Sequence, residues 1–348
     1  MPAKTDGQKL TPMMAQYQSM RRSLPDDILL LFRLGDFYEM FFEDAKEAAG
    51  VLNVALTKRN GIPMCGVPHH AAQGYIAKLI KAGKRIAIAE QTSEPQPGKL
   101  VEREIARIIS AATIDDLTLL DDSRHNYLAA VFLTGKGDKA RYGLACADHT
   151  TGEFTVAEFS ERGQLDDELH RLSPSELLIS DDQLAELGSM PGCLPYDGYA
   201  FLADQARLAL TDHFKVQSLD GFGCAEMPGA VSAAGAILHY LTYQLRRNCD
   251  HLRRPRIRSA SGHVLIDAAS QRNLDLVEST SGPAHTLLGV LDRTSTPMGA
   301  RKLRDWILHP LSDLDPLTAR QEVVASLLEQ PYLLAKLRDA LREIRDVE

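Results

Sequence analysis

Leu34-Gly35-Asp36-Phe37-Tyr38-Glu39-Met40-Phe41-Phe42 is the stretch on which the reading of this chain turns. An apolar run, Ile28 to Phe32, leads into it, and a helical pattern from Tyr38 to Leu52 leads out. Gly35 marks a tight bend between the two. Aromatic density here is unusual for a chain that is only 6% aromatic. Glu39 stands two positions after Phe37. On an extended segment, residues i and i+2 point the same way, so an aromatic wedge and an acceptor-only group could face one partner together. A plainer reading makes Phe37, Phe41 and Phe42 core residues and Glu39 a helix cap.

Upstream, residues 1–10 are polar and read as disordered. Thr11-Pro12 opens a helix that Pro25-Asp26-Asp27 ends. Downstream, Val54 to Thr57 reads as a short strand and Lys58-Arg59-Asn60-Gly61 as a basic turn. Ile62 to His70 is compact, with two prolines. A helix over 71–82, a strand over 85–91, a loop at Pro95-Gln96-Pro97-Gly98 and a strand over 101–110 complete a mixed α/β domain, 11–113. Residues 114–125 carry aspartates and read as a linker. Strands at 127–133, 141–147 and 153–159, then αβα units, make a second α/β domain over 126–248. Its last helix runs over Val231 to Leu245. Residues 249–258 form a basic linker that could touch phosphate or, more plainly, serve as a solvated connector. From 259 to 348 the pattern is helical, and its last apolar face is still open at Glu348. The fold class is therefore α/β multidomain, followed by the start of an all-α domain.

At 348 residues, 44% hydrophobic and 25% charged, the chain reads as a soluble protein of two or three domains. No apolar run is long enough for a membrane span, and the first residues are no secretory signal. The five cysteines are scattered without a CxxC, which argues for reduced thiols and against disulfides or zinc. The net charge of −8 is uneven: residues 1–113 hold 15 Lys+Arg against 12 Asp+Glu, and the remainder 24 against 35. Only the first part has the charge suited to approaching phosphates.

No phosphate-binding loop, dinucleotide fingerprint, HExxH or GxSxG occurs, so no catalytic residue, cofactor site or metal site is expected within the chain. One alternative is a metal-dependent nuclease of ribonuclease-H type. It would use Asp148, Glu153, Glu176 and Asp181 on two ions, although Asp148 to Glu153 reads equally well as a polar turn. His69-His70 is a weaker metal candidate, with no companion ligand at a useful spacing.

Several motifs arrive in one order: Thr11-Pro12-Met13-Met14-Ala15-Gln16-Tyr17, Leu34 to Phe41, Ile62 to Ala71, Ala87 to Gln91 and Val101 to Arg103. Leu287 to Thr294 and Met298 to Trp306 follow. Together they resemble the MutS family of DNA mismatch-recognition ATPases over nearly the whole chain. Cys65 stands where many members have alanine. The resemblance implies a mismatch-binding domain over 11–113, a non-catalytic ribonuclease-H-like connector over 126–248, and the start of a helical core (lever) domain over 259–348. The family's clamp and its ATPase, with ATP and Mg, would lie beyond Glu348.

The resemblance further implies that Phe37 stacks on a mispaired base from the minor groove and that Glu39 hydrogen-bonds the same base. Lys58, Arg59, Pro63 and Met64 are candidates for backbone and groove contacts. Implied partners are double-stranded DNA with mismatches or small loops, a second copy in the full-length form, and a MutL-type protein at the connector. The implied location is the cytoplasm, at the nucleoid.

Overall fold

The computed structural model describes residues 10–93, 100–114, 121–188, 190, 192–258 and 262–347. The disorder expected before residue 10, the loop at Pro95–Gly98, residues 115–120 of the expected 114–125 linker and the terminal Glu348 lie outside the described residues. The chain divides into two compact units, Met1–Leu119 with Leu241–Asn248, and Leu120–Tyr240 with Cys249–Glu348.

In the first unit, Thr11 caps α1 (Pro12–Arg22) by accepting from the Met14 N–H, and Pro12 occupies the first turn at no cost. Then come β1 (Ile28–Leu34), β2 (Phe37–Phe41), α2 (Phe42–Leu52), β3 (Thr57–Arg59), β4 (Ile62–Pro68), α3 (Ala72–Lys81), β5 (Arg85–Gln91) and β6 (Arg103–Ile109). They form one mixed sheet in the order β3-β4-β2-β1-β5-β6, with β1 and β5 parallel and the other neighbours antiparallel.

One local expectation changes. Tyr38 to Phe41 is strand, not the start of a helix. Pairing with β1 on one side and β4 on the other satisfies the backbone, and alternation buries Tyr38 and Met40. The helix begins only at Phe42, which turns the chain with φ +57, a costly value for a bulky residue. The compact stretch from Ile62 is a strand as far as Pro68. Asn60-Gly61, with φ +52 and +80, closes a two-residue hairpin between Arg59 and Ile62, for which Asn-Gly is the strongest short signal.

One face of this sheet packs on α2 and α3 through Leu29, Leu31, Tyr38, Met40, Cys65 and Val67. On the other face Tyr17 of α1 meets Phe32 and Phe41 edge-on, at ring distances of 5.4 and 5.1 Å. Buried Asp44 locks this side, accepting from Tyr17 Oη (3.0 Å), the Leu30 N–H (3.1 Å) and Arg21 Nε (3.0 Å). A buried carboxylate with three donors is compensated, so α1, β1 and α2 are tied at one point.

The second unit is built on β7 (Tyr127–Thr134), β8 (Arg141–Asp148), β9 (Glu153–Phe159), α4 (Arg162–Leu172), β10 (Glu176–Ser180), α5 (Leu184–Leu187), β11 (Cys193–Tyr196), α6 (Ala203–Phe214), α7 (Pro228–His239) and β12 (Arg256–Ile257). The sheet order is β11-β10-β7-β8-β9-β12. The run β7-β8-β9 is antiparallel, and β10 and β11 lie parallel to β7 and to each other.

Two boundaries depart from expectation. The helix stops at His239 and passes into a π-turn, Tyr240–Gln244. Residues 241–248 join the first unit, where the Ile108 N–H donates to Leu245 O, Arg246 Nη1 to Ile105 O and Arg247 to Thr113 O. The basic stretch 249–258 is not simply a solvated connector. Arg256 and Ile257 pair parallel to Thr155 and Val156 of β9, and the Arg258 N–H donates to Val156 O at 2.8 Å. Residues 262–347 are mainly helical, as α8 (Ala268–Asn273), α9 (Leu287–Leu291), α10 (Pro297–Leu308), α11 (Leu314–Leu328) and α12 (Pro331–Arg342), with one bridge from His263 to Leu311.

Candidate functional site

The two-residue hairpin between β1 and β2 puts Phe37 at a tip. Leu34 pairs with Phe37 across the loop, and Gly35 takes φ +56 at the first loop position, where such loops favour glycine. Asp36 O accepts from the His69 N–H at 2.8 Å, which pins the loop to the end of β4. Along β2 the side chains alternate. Phe37 is 46% exposed, while Tyr38 and Met40 are in the core. Glu39 shares the outer face with Phe37, as the i, i+2 geometry predicts.

The partner strand shapes the space beside them. Gly66 is the register partner of Glu39, and a Cβ built there would lie 3.4 Å from Glu39 Cγ and 4.0 Å from Phe37 Cδ1. One methyl would fit. A longer side chain would push into the space that both residues use. Arg59 Nη1 donates to Glu39 Oε2 at 2.7 Å, with 43% of the Arg59 side chain exposed against 13% for Glu39. Met64 pairs with Phe41 and Thr57, and its carbonyl accepts from Thr57 Oγ1 at 3.2 Å.

Strand alternation therefore gathers Phe37, Glu39, Arg59 and Met64 on one face. Lys58 and its register partner Pro63 alternate to the other. Sequence reasoning ranked Lys58 and Arg59 alike. It also had no signal for Gly66 or for the contact between Glu39 and Arg59, which lie 20 positions apart and meet only through the β3-β4-β2 register.

The face is stiffly backed. The Tyr38 hydroxyl donates to Glu90, and the Arg33 guanidinium lies 5.6 Å from the Tyr38 ring centre. Burial, and then Glu90, push that hydroxyl's pKa upward, so it remains a donor. Arg103 is buried. It donates to Arg33 O (2.6 Å), Val101 O (2.8 Å) and Gln16 Oε1 (3.2 Å), and its guanidinium lies 4.8 Å from the Phe32 ring. It is a strut, not a cation offered to a partner.

The alternative site does not assemble. Asp148 accepts from His125 Nδ1 (2.8 Å), Thr150 Oγ1 (2.6 Å) and the Thr150 N–H (2.9 Å). Glu153 accepts from Tyr127 Oη at 2.8 Å, Glu176 from Tyr240 Oη at 3.2 Å, and Asp181 from the Gly198 N–H at 3.1 Å. Each carboxylate is bound into the protein. Among the described residues no three of His, Cys, Asp or Glu are grouped to hold a metal ion. His69 lies with its ring 5.3 Å from Tyr38.

Burial alone would raise the Asp148 pKa, but the His125 and Thr150 hydrogen bonds outweigh it and hold the carboxyl at about 2. A depressed folded-state pKa adds stability above the unfolded value, near 4, which is lost as pH falls through about 2. We expect Asp148→Asn to lower stability at pH 7 by about 2 kcal/mol and to flatten the acid limb between about pH 4 and 2. Urea melts across that range check this. A variant as stable as the wild type at pH 7 would show that the hydrogen bonds contribute nothing net.

Three family models match in succession: MutS domain I over residues 11–118, MutS domain II over 126–253 and MutS domain III over 269–348. The chain belongs to the MutS family. The DNA mismatch repair protein MutS of Syntrophobacter fumaroxidans (strain DSM 10017 / MPOB) is 43% identical over 354 residues, covering 98% of this chain and 40% of that protein. The DNA mismatch repair protein MutS of Protochlamydia amoebophila (strain UWE25) is 40% identical over 356 residues, covering 99% of this chain and 41% of its own length. The chain thus spans about 40% of the length of these MutS relatives. The Phe37 face lies wholly within the match to MutS domain I, and the carboxylates of the alternative site lie within the match to MutS domain II. Among the described residues no helix is long and apolar enough to cross a membrane.

Proposed function

We propose that this chain recognises mismatched or looped bases in duplex DNA, at the start of DNA mismatch repair. Phe37 acts as a minor-groove wedge, and Glu39 accepts a hydrogen bond from the displaced base. The observation that carries this is a half-exposed phenylalanine at the tip of a pinned hairpin, beside an outward carboxylate and above a glycine.

The energetics suit a detector that does not read sequence. Driving an apolar wedge into a base step costs a few kcal/mol. Stacking returns about 1–3 kcal/mol whatever the base. The cost of unpairing is least where pairing is already poor. Discrimination then comes from deformability. Glu39 adds a penalty near phosphates at every site and gains a hydrogen bond only where a base edge is free.

Arg59 and Met64 share the wedge face and are the nearest candidates for backbone and groove contacts. Lys58 and Pro63 would act from the other side of the β3-β4 hairpin. By the same reading, 11–113 is the mismatch-binding domain, 126–248 a connector that receives a MutL-type partner, and 259–348 the start of the core domain. Dimer formation, ATP with Mg, and a cytoplasmic, nucleoid-associated location are proposed for the whole protein.

The experiment is competitive binding of a duplex with one mispair against the same duplex fully paired. The mispaired duplex should win. Glu39→Ala should tighten binding to the paired duplex and narrow the ratio. Equal affinity for both duplexes in the wild type would refute the reading.

A further inference from the structure

Arg59 engages one of the two carboxylate oxygens of Glu39, Oε2, and draws its charge toward the guanidinium. The two are 2.7 Å apart, and Glu39 is the more enclosed of the pair. Arg59 ends a three-residue strand at the sheet edge, next to the Asn60-Gly61 turn, and all three residues of that strand are exposed. Its side chain can swing without disturbing the core. Its guanidinium suits phosphate as well as carboxylate.

We infer that Arg59 determines specificity by exchanging partners: it holds Glu39 on paired DNA and moves to a backbone phosphate only when Glu39 engages a mispaired base. This rests on the reading that Phe37 and Glu39 meet such a base. On paired DNA, releasing Glu39 would leave a bare carboxylate near phosphates, so the ion pair persists. On a mispair, Glu39 gains a base N–H, Arg59 gains a phosphate, and both charges stay partnered. Recognition of the base and one backbone contact become a single event.

The exchange leaves a thermodynamic trace. Each phosphate neutralised steepens the fall of log affinity with log salt by about 0.9. The mispaired duplex should carry one more such contact than the paired one. Raising salt from about 50 to 200 mM should therefore shrink the wild-type mismatch preference by about threefold.

Two variants isolate the exchange. Glu39→Gln keeps a hydrogen-bonding side chain but releases Arg59, so both duplexes should show the steep slope. Arg59→Ala removes the cation, so both should show the shallow one. In each variant the preference should no longer change with salt. Arg59 is largely exposed and Glu39→Gln is nearly isosteric, so both variants should melt close to the wild type. The measurement is fluorescence anisotropy of the 348-residue chain on labelled paired and mispaired duplexes across that salt range, with Phe37→Ala alongside. A wild-type preference that Phe37→Ala removes but salt does not change would leave the wedge standing and overturn the exchange. So would a salt-dependent preference that survives in Arg59→Ala. Equal affinity of the wild type for both duplexes would overturn both.

Discussion

Phe37→Ala is expected to erase the preference for a mispaired duplex while leaving the fold intact. The ring is 46% exposed, so its removal takes little apolar surface from the core. Neighbouring Tyr38 and Met40 keep their places on the packed face, and Gly35 and Asp36 keep the hairpin. What disappears is a stacking surface of about 1–3 kcal/mol, equivalent to roughly 5- to 150-fold in affinity for the mispaired duplex. Binding to paired DNA should change much less, because under the proposed mechanism it does not receive the wedge. Phe41→Ala is the contrasting variant. Phe41 is fully buried against Tyr17, and its loss should cost about 3–5 kcal/mol of stability. Anisotropy titrations and thermal melts of the two variants separate the roles. If Phe37→Ala destabilised the protein as much as Phe41→Ala, Phe37 would be a core residue and the wedge assignment would fail.

Gly143→Ala is expected to destabilise the second unit strongly. Gly143 on β8 faces Gly229 at the start of α7, and a Cβ there would lie 1.9 Å from Gly229 C and 2.2 Å from Ala230 N. Neither is a side-chain end that can swing away. The helix would have to lift off the sheet, and it is also seated on its far side, where a Cβ at Gly235 would come within 2.2 Å of Ala206 Cα. Ten of the twelve residues of α7 are buried, so lifting it opens the centre of the second unit. Overpacking against backbone at this range should cost about 3 kcal/mol or more. For a unit of this size that lowers the melting temperature by roughly 6–12 °C. Circular dichroism melts check it. A shift of less than about 2 °C would mean that the helix and strand can separate freely. Because Phe37 lies in the other unit, the same variant should keep its mismatch preference at temperatures where it remains folded.

Much of the site could be read directly from the residues. The i, i+2 placement of Phe37 and Glu39, the bend at Gly35 and the cap at Thr11-Pro12 are local, and each is decided by backbone geometry within a few residues. The split into α/β domains followed by helices is also local, because hydrophobic period changes along the chain. Tyr38 to Phe41 was harder. Its apolar spacing suits either a helix or a strand, and only pairing with β1 and β4 decides for the strand. The Asn60-Gly61 hairpin was present in the sequence as a dipeptide, but its consequence was not. It folds β3 back on β4 and so sends Arg59 to the face of Phe37 and Glu39 and Lys58 away from it. Tertiary structure alone set the three donors around Asp44, the bare floor at Gly66 and the ion pair between Glu39 and Arg59. The physical reason is that strand register joins residues by pairing, not by separation along the chain. The sequence by itself determined that Phe37 and Glu39 share one face of a strand. The register of three strands decided which cation pairs with Glu39.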